Sequence, residues 1–384
     1  MYLGIDPVTR KKRWRSRTYR GGARGASTAL SQLVSEVTAE HAVPPTEGTF
    51  GWLLDQWLRV AELDRAETTV AGYRHKIDTT LRPALGDIEL RKLTGVMLSD
   101  HYQRLLTVGT YATATSPHPQ SPASVRQVHA IAHCALGWAV EQGYLPSNPA
   151  DRATQPARAK IQRVLPDVAA MADAVRAYAE VDPIMTACWW VTAALGSRRG
   201  ESLGLTWADV DLEAATVTIR QSVVEVKGRK IVKDTKTHQA RRVSIDEATV
   251  AVLASHRARV DELAAVARVT ITPESFVFSP PSSLGVKAYQ PTKVSRTWRA
   301  WADQQGLEGV RLHDLRHLAA SVMISAGHDI TTISRRLGHE RVSTTLDIYS
   351  HLMPGSDEAA ADSIGAAMAP KAPGRAQLTK GGNP

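Results

Sequence analysis

Residues 311–351 read RLHDLRHLAASVMISAGHDITTISRRLGHERVSTTLDIYSH, and four of their side chains suit phosphate chemistry: His313, Arg316, His339 and Tyr349. His313 and Arg316 are three residues apart, so on a helix they lie on one face and point to one place. A single histidine or tyrosine is more often a core residue whose polar tip is satisfied. The combination predicts a site that binds a phosphate and attacks it.

Helical spacing and glycines predict the local structure around these side chains. Apolar residues recur from Leu318 to Met323, which predicts a buried helix that ends near Gly327. A second helix ends at Gly338 and leaves His339 at a bend that faces a cleft. The hydroxyl-rich run that follows suits a helix N-cap and places Tyr349 on a short helix.

The order of these residues resembles the C-terminal half of the catalytic domain of tyrosine recombinases, also called phage integrases. That family's second box is H-x-x-R, followed by L-G-H and a nucleophilic tyrosine. Here the box is His313 to Arg316, the L-G-H run is 337–339, and the tyrosine is Tyr349.

The family's first box is an arginine in a G-x-R-x-x-E context that leads into L-x-L-x-W. Residues 196–207 read GSRRGESLGLTW and fit that pattern. The resemblance therefore implies a catalytic role for Arg198 and not for its neighbour Arg199. It also implies that Glu201 positions Arg198 or His313 without contacting the phosphate itself.

The family's lysine comes from a β-hairpin loop between the two boxes. Strand-like runs extend over 215–226, 231–233 and 241–245, with a break at Lys227-Gly228-Arg229. The loop between the last two runs contains Lys236, which we take as the match. Lys233 is the alternative, and either lysine could simply be a solvated hairpin residue.

The resemblance implies transesterification at a phosphodiester, in which charge grows on the equatorial oxygens. Arg198 and Arg316 would clamp those oxygens, because guanidinium groups bind them in bidentate fashion and stay charged without a metal. A tyrosine has a free pKa of about 10 and needs a base, for which we choose His313.

In the same scheme, Lys236 protonates the departing 5′ oxygen and His339 hydrogen-bonds a nonbridging oxygen. The phosphotyrosine keeps the energy of the broken bond, so a second hydroxyl reseals the strand without ATP. No cofactor or metal is implied. The predicted function is site-specific DNA recombination for integration or excision of a mobile element.

Composition agrees with a DNA partner and a reducing compartment. The 384-residue chain has a formal net charge of +9, which suggests attraction to a polyanion. Cys134 and Cys188 are too few for a disulfide framework or a cysteine zinc site. We find no apolar run of about 18 residues and no signal peptide, and we expect a cytoplasmic, nucleoid-associated protein.

We expect a mainly α-helical, multidomain chain with small β-sheets: a helical core-binding bundle and a mixed α+β catalytic domain. A small sheet-plus-helix domain that resembles the arm-site domain of phage integrases precedes them, without the first of its usual three strands. The expected ranges are 1–43 for the arm-binding domain, 48–150 for the SAM-like core-binding domain, 151–165 for a linker, 166–355 for the catalytic domain, and 356–384 for a C-terminal helix and disordered tail.

Several basic residues outside the reaction centre are candidate DNA contacts. In a strand, Arg13, Arg15 and Arg17 would place three guanidinium groups on one face, which suits phosphates or a groove. Arg74 and Lys76 on a helix of the core-binding bundle are candidate phosphate contacts. A solvated basic strand or helix face is the ordinary alternative for both groups.

The family resemblance also implies partners. They are double-stranded attachment sites and three further copies of the chain, joined into a tetramer by exchange of the C-terminal segment. An excision or directionality factor and a DNA-bending host protein are further possible partners. We expect no membrane partner.

Three alternatives stay open at the sequence level. A metal-dependent nuclease could use His313, His317, His339 and His351, but the glutamate of H-E-x-x-H is absent and no carboxylate cluster is visible. A type IB topoisomerase shares the implied chemistry. A DNA-binding regulator would need only the basic N-terminus, and would leave the ordered catalytic residue types without a role.

Overall fold

The computed structural model describes residues 2–5, 12–14, 48–110, 118–158, 167–234 and 240–350, with the single positions 18, 22, 25, 361, 364, 365 and 368. The chain divides into two compact units, residues 1–162 and 163–384. Each unit has an apolar core of its own. Among the described helices, none is both long enough and apolar enough to span a bilayer.

The first unit contains two strands followed by a helical bundle. Strands β1 (Tyr2–Ile5) and β2 (Lys12–Trp14) pair antiparallel, as the sequence predicts. The helix of the predicted sheet-plus-helix domain lies outside the described residues. The bundle consists of α1 (Phe50–Asp64), α2 (Glu67–Lys76), a π-helical turn (Ile77–Leu81), α3 (Arg82–Leu85), a 3-10 turn (Leu90–Lys92), α4 (Gly95–Thr107), α5 (Pro122–Glu141) and a 3-10 turn (Pro149–Arg152).

The bundle forms where apolar residues recur at helical spacing behind a capping residue. The Thr49 side chain accepts the amide N–H of Trp52 at 3.2 Å and starts α1, whose Leu53, Leu54 and Trp57 then enter the core. Thr94 and Ser121 cap α4 and α5 in the same way.

The second unit is mainly helical, with small antiparallel sheets near its centre. Its helices and turns are α6 (Val168–Ala177), a 3-10 turn (Tyr178–Glu180), α7 (Pro183–Leu195), α8 (Arg199–Gly204), a 3-10 turn (Trp207–Asp209), α9 (Glu247–Ala267), α10 (Pro291–Gln304), α11 (Asp314–Ser325), α12 (Ile330–Leu337) and α13 (Val342–Tyr349). The predicted mainly helical fold with small sheets is confirmed.

Two small sheets separate α8 from α9. Strands β3 (Val210–Asp211), β4 (Thr216–Ile219) and β7 (Arg241–Ser244) form one sheet, and β5 (Gln221–Val226) pairs with β6 (Arg229–Asp234) in the other. Lys227 and Gly228 both have positive φ, 49° and 78°, which is the backbone of a tight hairpin turn.

The sequence predicts one continuous strand over residues 215–226, and this prediction is wrong. The run divides at Arg220, and β4 and β5 belong to different sheets. Arg220 forms an ion pair from Nε to Asp209 at 2.7 Å and donates from Nη2 to Thr206 at 3.2 Å. These contacts hold the backbone at Arg220 against the preceding 3-10 turn, a tertiary effect that strand propensity does not contain.

Helix α7 runs through the core of the second unit and positions the first box. Its N-terminus is capped by Asp182, which accepts the Met185 N–H at 2.9 Å. Trp189 packs edge-on against Trp298 of α10, with ring centroids 5.0 Å apart, and both are fully buried. The helix ends at Gly196 with φ 59°, and the chain turns there into Arg198.

Candidate active site

Six elements of the second unit meet around one cluster of polar side chains. They are the C-terminus of α7, the N-terminus of α8, strand β7, the start of α11, the C-terminus of α12 and helix α13. The cluster brings together Arg198, Glu201, His313, Arg316, His339 and Tyr349, which are the predicted catalytic and supporting residues that the structure describes.

Arg198 stands at the N-cap of α8 and is bonded in two directions. Its Nη1 donates to Glu201 Oε1 at 2.8 Å, and its Nη2 donates to the carbonyl of Gly338 at 3.1 Å. Its backbone N–H also bonds to Glu201 Oε2 at 3.0 Å. The neighbouring Arg199 instead donates to Ser295 at 2.6 Å. Arg198 is therefore the arginine of this pair that belongs to the cluster.

Glu201 is the buried carboxylate that organises the first box. One oxygen binds the Arg198 guanidinium and the other binds Arg241 Nη2 at 2.6 Å. Burial alone would raise the pKa of the Glu201 carboxyl, but the hydrogen bonds and charges of Arg241 and Arg198 outweigh burial and lower it. Glu201 is therefore ionised and fixes both guanidinium groups.

Gly338 lets Arg241 and the end of α12 approach closely. Gly338 has φ 72°, and a Cβ atom built on it would lie 2.7 Å from Arg241 Nη1. Arg241 Nε also donates to the carbonyl of Arg336 at 3.1 Å. The L-G-H glycine thus allows β7, α8 and α12 to be tied together at one point.

Arg316 is a buried guanidinium held by helix ends. Nη1 donates to the carbonyl of Gly196 at 2.7 Å and to that of Leu337 at 2.5 Å. The guanidinium therefore faces the partial negative charge at the C-termini of α7 and α12. Its Nη2 is buried with no hydrogen-bond partner. Burial and the charge of Arg198 lower the pKa of Arg316 to about 10, which still leaves it charged at neutral pH.

The two predicted catalytic histidines are neutral in this environment. Burial, together with the charges of His317 and Arg316, lowers the pKa of His313 to about 4, although part of this residue remains exposed. Burial and the charges of Arg316 and Arg198 lower the pKa of His339 to about 4. His339 Nδ1 lies 2.7 Å from the hydroxyl of Thr345 on α13, which fixes the ring orientation.

Tyr349 is the last residue of α13, and its side chain is only 2% exposed. Its hydroxyl oxygen lies 2.6 Å from Nδ1 of His317. The His317 ring packs edge-on against the Tyr349 ring and against the His313 ring, at centroid distances of 5.5 Å and 5.1 Å. The phenol thus packs against α11, where it contacts the residue that follows Arg316.

The cluster carries an excess of positive charge. The guanidinium groups of Arg198, Arg241 and Arg316 surround the carboxylate of Glu201, and Arg316 has a donor without a partner. An uncompensated buried cation is costly, and an anion that enters the cluster relieves this cost. A phosphate held there would lie beside a tyrosine hydroxyl, which is the arrangement that nucleophilic attack on phosphorus needs.

Other predicted site residues lie outside the cluster or outside the described residues. Lys236 falls in the gap 235–239, and Arg15 and Arg17 are also not described; for Arg13, the structure describes only the backbone, in β2. In the first unit, Arg74 forms an exposed ion pair with Glu62, and Lys76 donates to Ser124 and to Gln120.

Sequence reasoning did not assign two residues of the cluster. The sequence suggested His317 only as a metal ligand of the alternative nuclease, yet its side chain contacts the tyrosine hydroxyl. Arg241 was read only as the start of a strand. Its signal was the period of two, because Arg241 shares a strand face with the buried Val243.

Two family models match the chain. The model of the phage integrase family matches residues 169–355, and the model of the phage integrase N-terminal SAM-like domain matches residues 49–106. Together they account for more than half of the 384 residues. The chain belongs to the phage integrase family. The predicted family and the predicted enzyme class, a DNA strand transferase of the tyrosine recombinase type, are confirmed.

Curated relatives of this family member align over most of their length. The ICEBs1 integrase of Bacillus subtilis strain 168 is 24% identical over 365 residues, which are 94% of this chain and 95% of the relative. A XerC-like tyrosine recombinase of Caldanaerobacter subterraneus is 22% identical over 331 residues and covers 80% of each chain. The prediction of a site-specific recombinase is confirmed at the level of the family.

Solved structures share the fold. The integrase of transposon Tn1549, in complex with transposon right end DNA, aligns with a TM-score of 0.65 at 13% identity and covers 84% of this chain and 99% of its own. A lambda integrase tetramer on a Holliday junction aligns with a TM-score of 0.60 at 17% identity and covers 91% of each chain. At these identities the likeness concerns the fold alone.

Proposed function

We propose that this chain is the integrase of a mobile element and that it cuts and rejoins double-stranded DNA through a 3′-phosphotyrosine on Tyr349. The observation that carries the proposal is the pairing of a buried, partly unsatisfied guanidinium with a docked phenol. Nη2 of Arg316 has no hydrogen-bond partner. His317, the next residue on the same helix, contacts the Tyr349 hydroxyl.

The cationic cluster supplies what a phosphodiester needs in the transition state. Negative charge grows on the nonbridging oxygens as the phenol attacks, and fixed donors in a buried site stabilise it most. Arg316 and Arg198 bind those oxygens, and His339 donates to one of them from the ring nitrogen that does not face Thr345. His313, three residues before Arg316 on the chain, completes the phosphate-facing set.

Lys236 supplies the proton to the departing 5′ oxygen in this proposal. The residue itself lies outside the described residues, but both ends of its loop are described. The loop leaves β6 at Asp234 and enters β7 at Arg241, whose guanidinium binds Glu201 within the cluster. An ammonium on a loop that ends at the site would supply a proton to a leaving group there.

We propose a homotetramer that is joined by the C-terminal segment. Ile364 and Met368 each have helical backbone and are 65% and 79% exposed, so both present apolar side chains without cover. The second unit has an apolar groove of about 650 Å³ between α6, α7 and α11, lined by side chains that include Met171, Val175, Trp190, Leu318, Val322 and Met323. Such a groove accepts Ile364 and Met368 from a neighbouring copy.

The first unit and the chain before it supply DNA contacts that carry no chemistry. We propose residues 48–150 as the core-binding domain, 166–355 as the catalytic domain, and the basic segment 10–24 as a reader of accessory arm sites. Arg13, Arg15, Arg17, Arg74 and Lys76 would contact phosphates. A directionality factor, a DNA-bending host protein and a place at the nucleoid belong to the same proposal.

The test is covalent capture on DNA from the ends of the element that encodes the chain. Wild-type protein is incubated with attachment-site DNA, quenched in SDS and examined for an adduct, with and without EDTA. We expect an adduct of equal yield in both. Among the described residues, no three His, Cys, Asp or Glu side chains are grouped to hold a metal. Cleavage that EDTA abolishes and Mg²⁺ or Zn²⁺ restores would support a metal-dependent nuclease instead.

A second readout separates an integrase from a type IB topoisomerase. The same protein is given two duplexes that carry partner attachment sites, and a supercoiled plasmid that lacks such sites. An integrase exchanges strands between the partner sites and leaves the plasmid supercoiled. Relaxation of the plasmid at the same rate as site cleavage would contradict site-specific recombination.

A further inference from the structure

The contact between His317 and Tyr349 carries a step that the cluster otherwise lacks. Attack on phosphorus requires that Tyr349 lose its proton, and a phenol ionises near pH 10 when nothing assists it. His317 is in hydrogen-bond contact with this oxygen, at 2.6 Å. His313 also packs against the His317 ring, with 5.1 Å between ring centroids.

We infer that His317 is a catalytic residue: its Nδ1 takes the proton of Tyr349 as the phenol attacks the phosphate. This inference rests on the proposed function, and it assigns the first proton transfer to His317 and not to His313. A phenol O–H is a strong donor and a neutral imidazole nitrogen is a good acceptor, so the 2.6 Å contact fits an O–H that donates to Nδ1, with the ring proton on Nε2.

The step balances as a single displacement. The O–H bond of Tyr349 breaks and its proton goes to His317 Nδ1, while the phenol oxygen forms a bond to phosphorus. The bond from phosphorus to the 5′ oxygen breaks, and that oxygen leaves with a proton from Lys236. His317 ends as an imidazolium and Lys236 as a neutral amine. The rejoining step reverses each transfer and restores both groups.

The charges around His317 make this base dependent on substrate. Arg316 precedes His317 on α11, and the arginines of the cluster (Arg198, Arg241 and Arg316) outnumber its carboxylates, Glu201 and Asp314. A proton on His317 would add a further positive charge beside these guanidinium groups. A phosphate in the cluster compensates that charge and makes the transfer favourable.

The local structure holds the donor and acceptor in a fixed geometry. His317 lies on the first turn of α11, four residues after His313, and Tyr349 ends α13 with its ring packed edge-on to the imidazole. Thr345, fully buried near the middle of α13, contacts His339 and anchors that helix. A proton acceptor with this placement needs no movement of the phenol to begin the transfer.

The substitution His317→Asn separates two roles of the histidine, which are to hold the Tyr349 hydroxyl and to accept its proton. The asparagine amide reaches about as far as Nδ1 and can hold the hydroxyl, but it cannot accept a proton. We therefore compare single-turnover adduct formation by wild type, His317→Asn and His313→Asn between about pH 6 and pH 9. Each protein is assayed on a normal core site and on one whose scissile 5′ oxygen is replaced by sulfur, a leaving group that needs no acid.

We expect His317→Asn to bind the core site like wild type and to form the adduct at least about 100-fold more slowly at neutral pH. Its rate should rise in proportion to hydroxide up to the highest pH, and the sulfur substrate should not rescue it. His317→Ala provides a second check, because added imidazole should restore part of its rate. His313→Asn should keep the pH dependence of wild type, whatever its rate.

The following outcomes would overturn the assignment. One is a His317→Asn rate within about threefold of wild type with an unchanged pH profile, and another is a slow His317→Asn rate that the sulfur substrate restores fully. A third is the loss of the pH dependence in His313→Asn only, which would make His313 the base. An adduct that persists in Tyr349→Phe is a different failure, since it would remove the nucleophile and with it the proposed function.

Discussion

Glu201 and Arg241 form a nearly buried ion pair, with Oε2 and Nη2 2.6 Å apart and side chains 2% and 12% exposed. The same carboxylate holds Arg198, so the position of the proposed phosphate-binding arginine depends on a residue forty positions further along the chain. Loss of Arg241 would leave the Glu201 charge buried beside Arg198 alone.

We expect Arg241→Ala to destabilise the second unit by about 3 kcal/mol, because removal of one partner leaves a buried charge partly uncompensated. The matched control is Arg242→Ala. Arg242 is the next residue on the same strand, and its pair with Asp211 is exposed at 3.7 Å. Its loss should cost less than about 1 kcal/mol. Urea unfolding of both variants measures the difference, and equal losses would contradict the role of Arg241.

Arg316→Lys should reduce adduct formation by at least about 100-fold while the protein stays folded. The guanidinium donates through one nitrogen to two helix-end carbonyls and keeps a second nitrogen for the phosphate. An ammonium cannot do both in that geometry. Arg299→Lys, on an exposed helical pair with Asp303, is the control. Near-normal adduct rates in Arg316→Lys would remove the phosphate-clamp role.

The periodic parts of the chain were predictable because their cause is local. The sequence of α7 contains both of its boundaries, since Pro183 starts the helix and Gly196 ends it. Apolar spacing also indicates a helix over residues 69–81, where the structure has α2 followed by a π-helical turn. That turn was not predictable, because apolar spacing near 3.6 does not distinguish the two helix types.

The candidate site was only partly predictable, because its contacts join residues that are distant in the sequence. The boxes named Arg198, Arg316, His339 and Tyr349, but no motif states what each touches. Arg316 donates to carbonyls 120 and 21 positions away. His317 was visible as the residue after the arginine, yet its contact with Tyr349 depends on how α13 folds back against α11. Only the tertiary structure shows which histidine reaches the phenol.

The first unit should lose stability as the pH falls from about 6.5 to about 4. His101 in α4 is buried, and neither ring nitrogen has a hydrogen-bond partner. Burial, with the charge of Arg104, lowers the pKa of His101 to about 4. The unfolded chain therefore binds a proton in this window that the folded chain rejects, and stability declines as pH falls.

Replacement of His101 by leucine should flatten this pH dependence, by as much as about 3 kcal/mol over the window. The exposed His118→Gln is the control and should leave the dependence as in wild type. Urea unfolding at several pH values measures both. An unchanged slope in His101→Leu would show that the folded state accommodates a protonated His101.

Deletion of residues 10–24 should weaken binding to long attachment sites and spare cleavage of core sites. The segment contains eight lysine and arginine residues. If each contacts a phosphate, the slope of log affinity against log salt becomes shallower by about 7. Adduct yield and salt-dependent binding are compared on core-only and full-length sites. Equal losses on both would mean that the segment supports the core complex and does not read arm sites.

The central claim is that Tyr349 is the nucleophile, and the most direct measurement is the yield of SDS-resistant adduct with Tyr349→Phe on core-site DNA. This change removes the attacking oxygen and keeps the ring that packs on His317. Tyr178→Phe, whose ring stacks on Trp189 in the same unit, is the control. We predict no adduct and near-normal DNA binding for Tyr349→Phe, and a wild-type yield for Tyr178→Phe. An adduct that persists in Tyr349→Phe would contradict the claim.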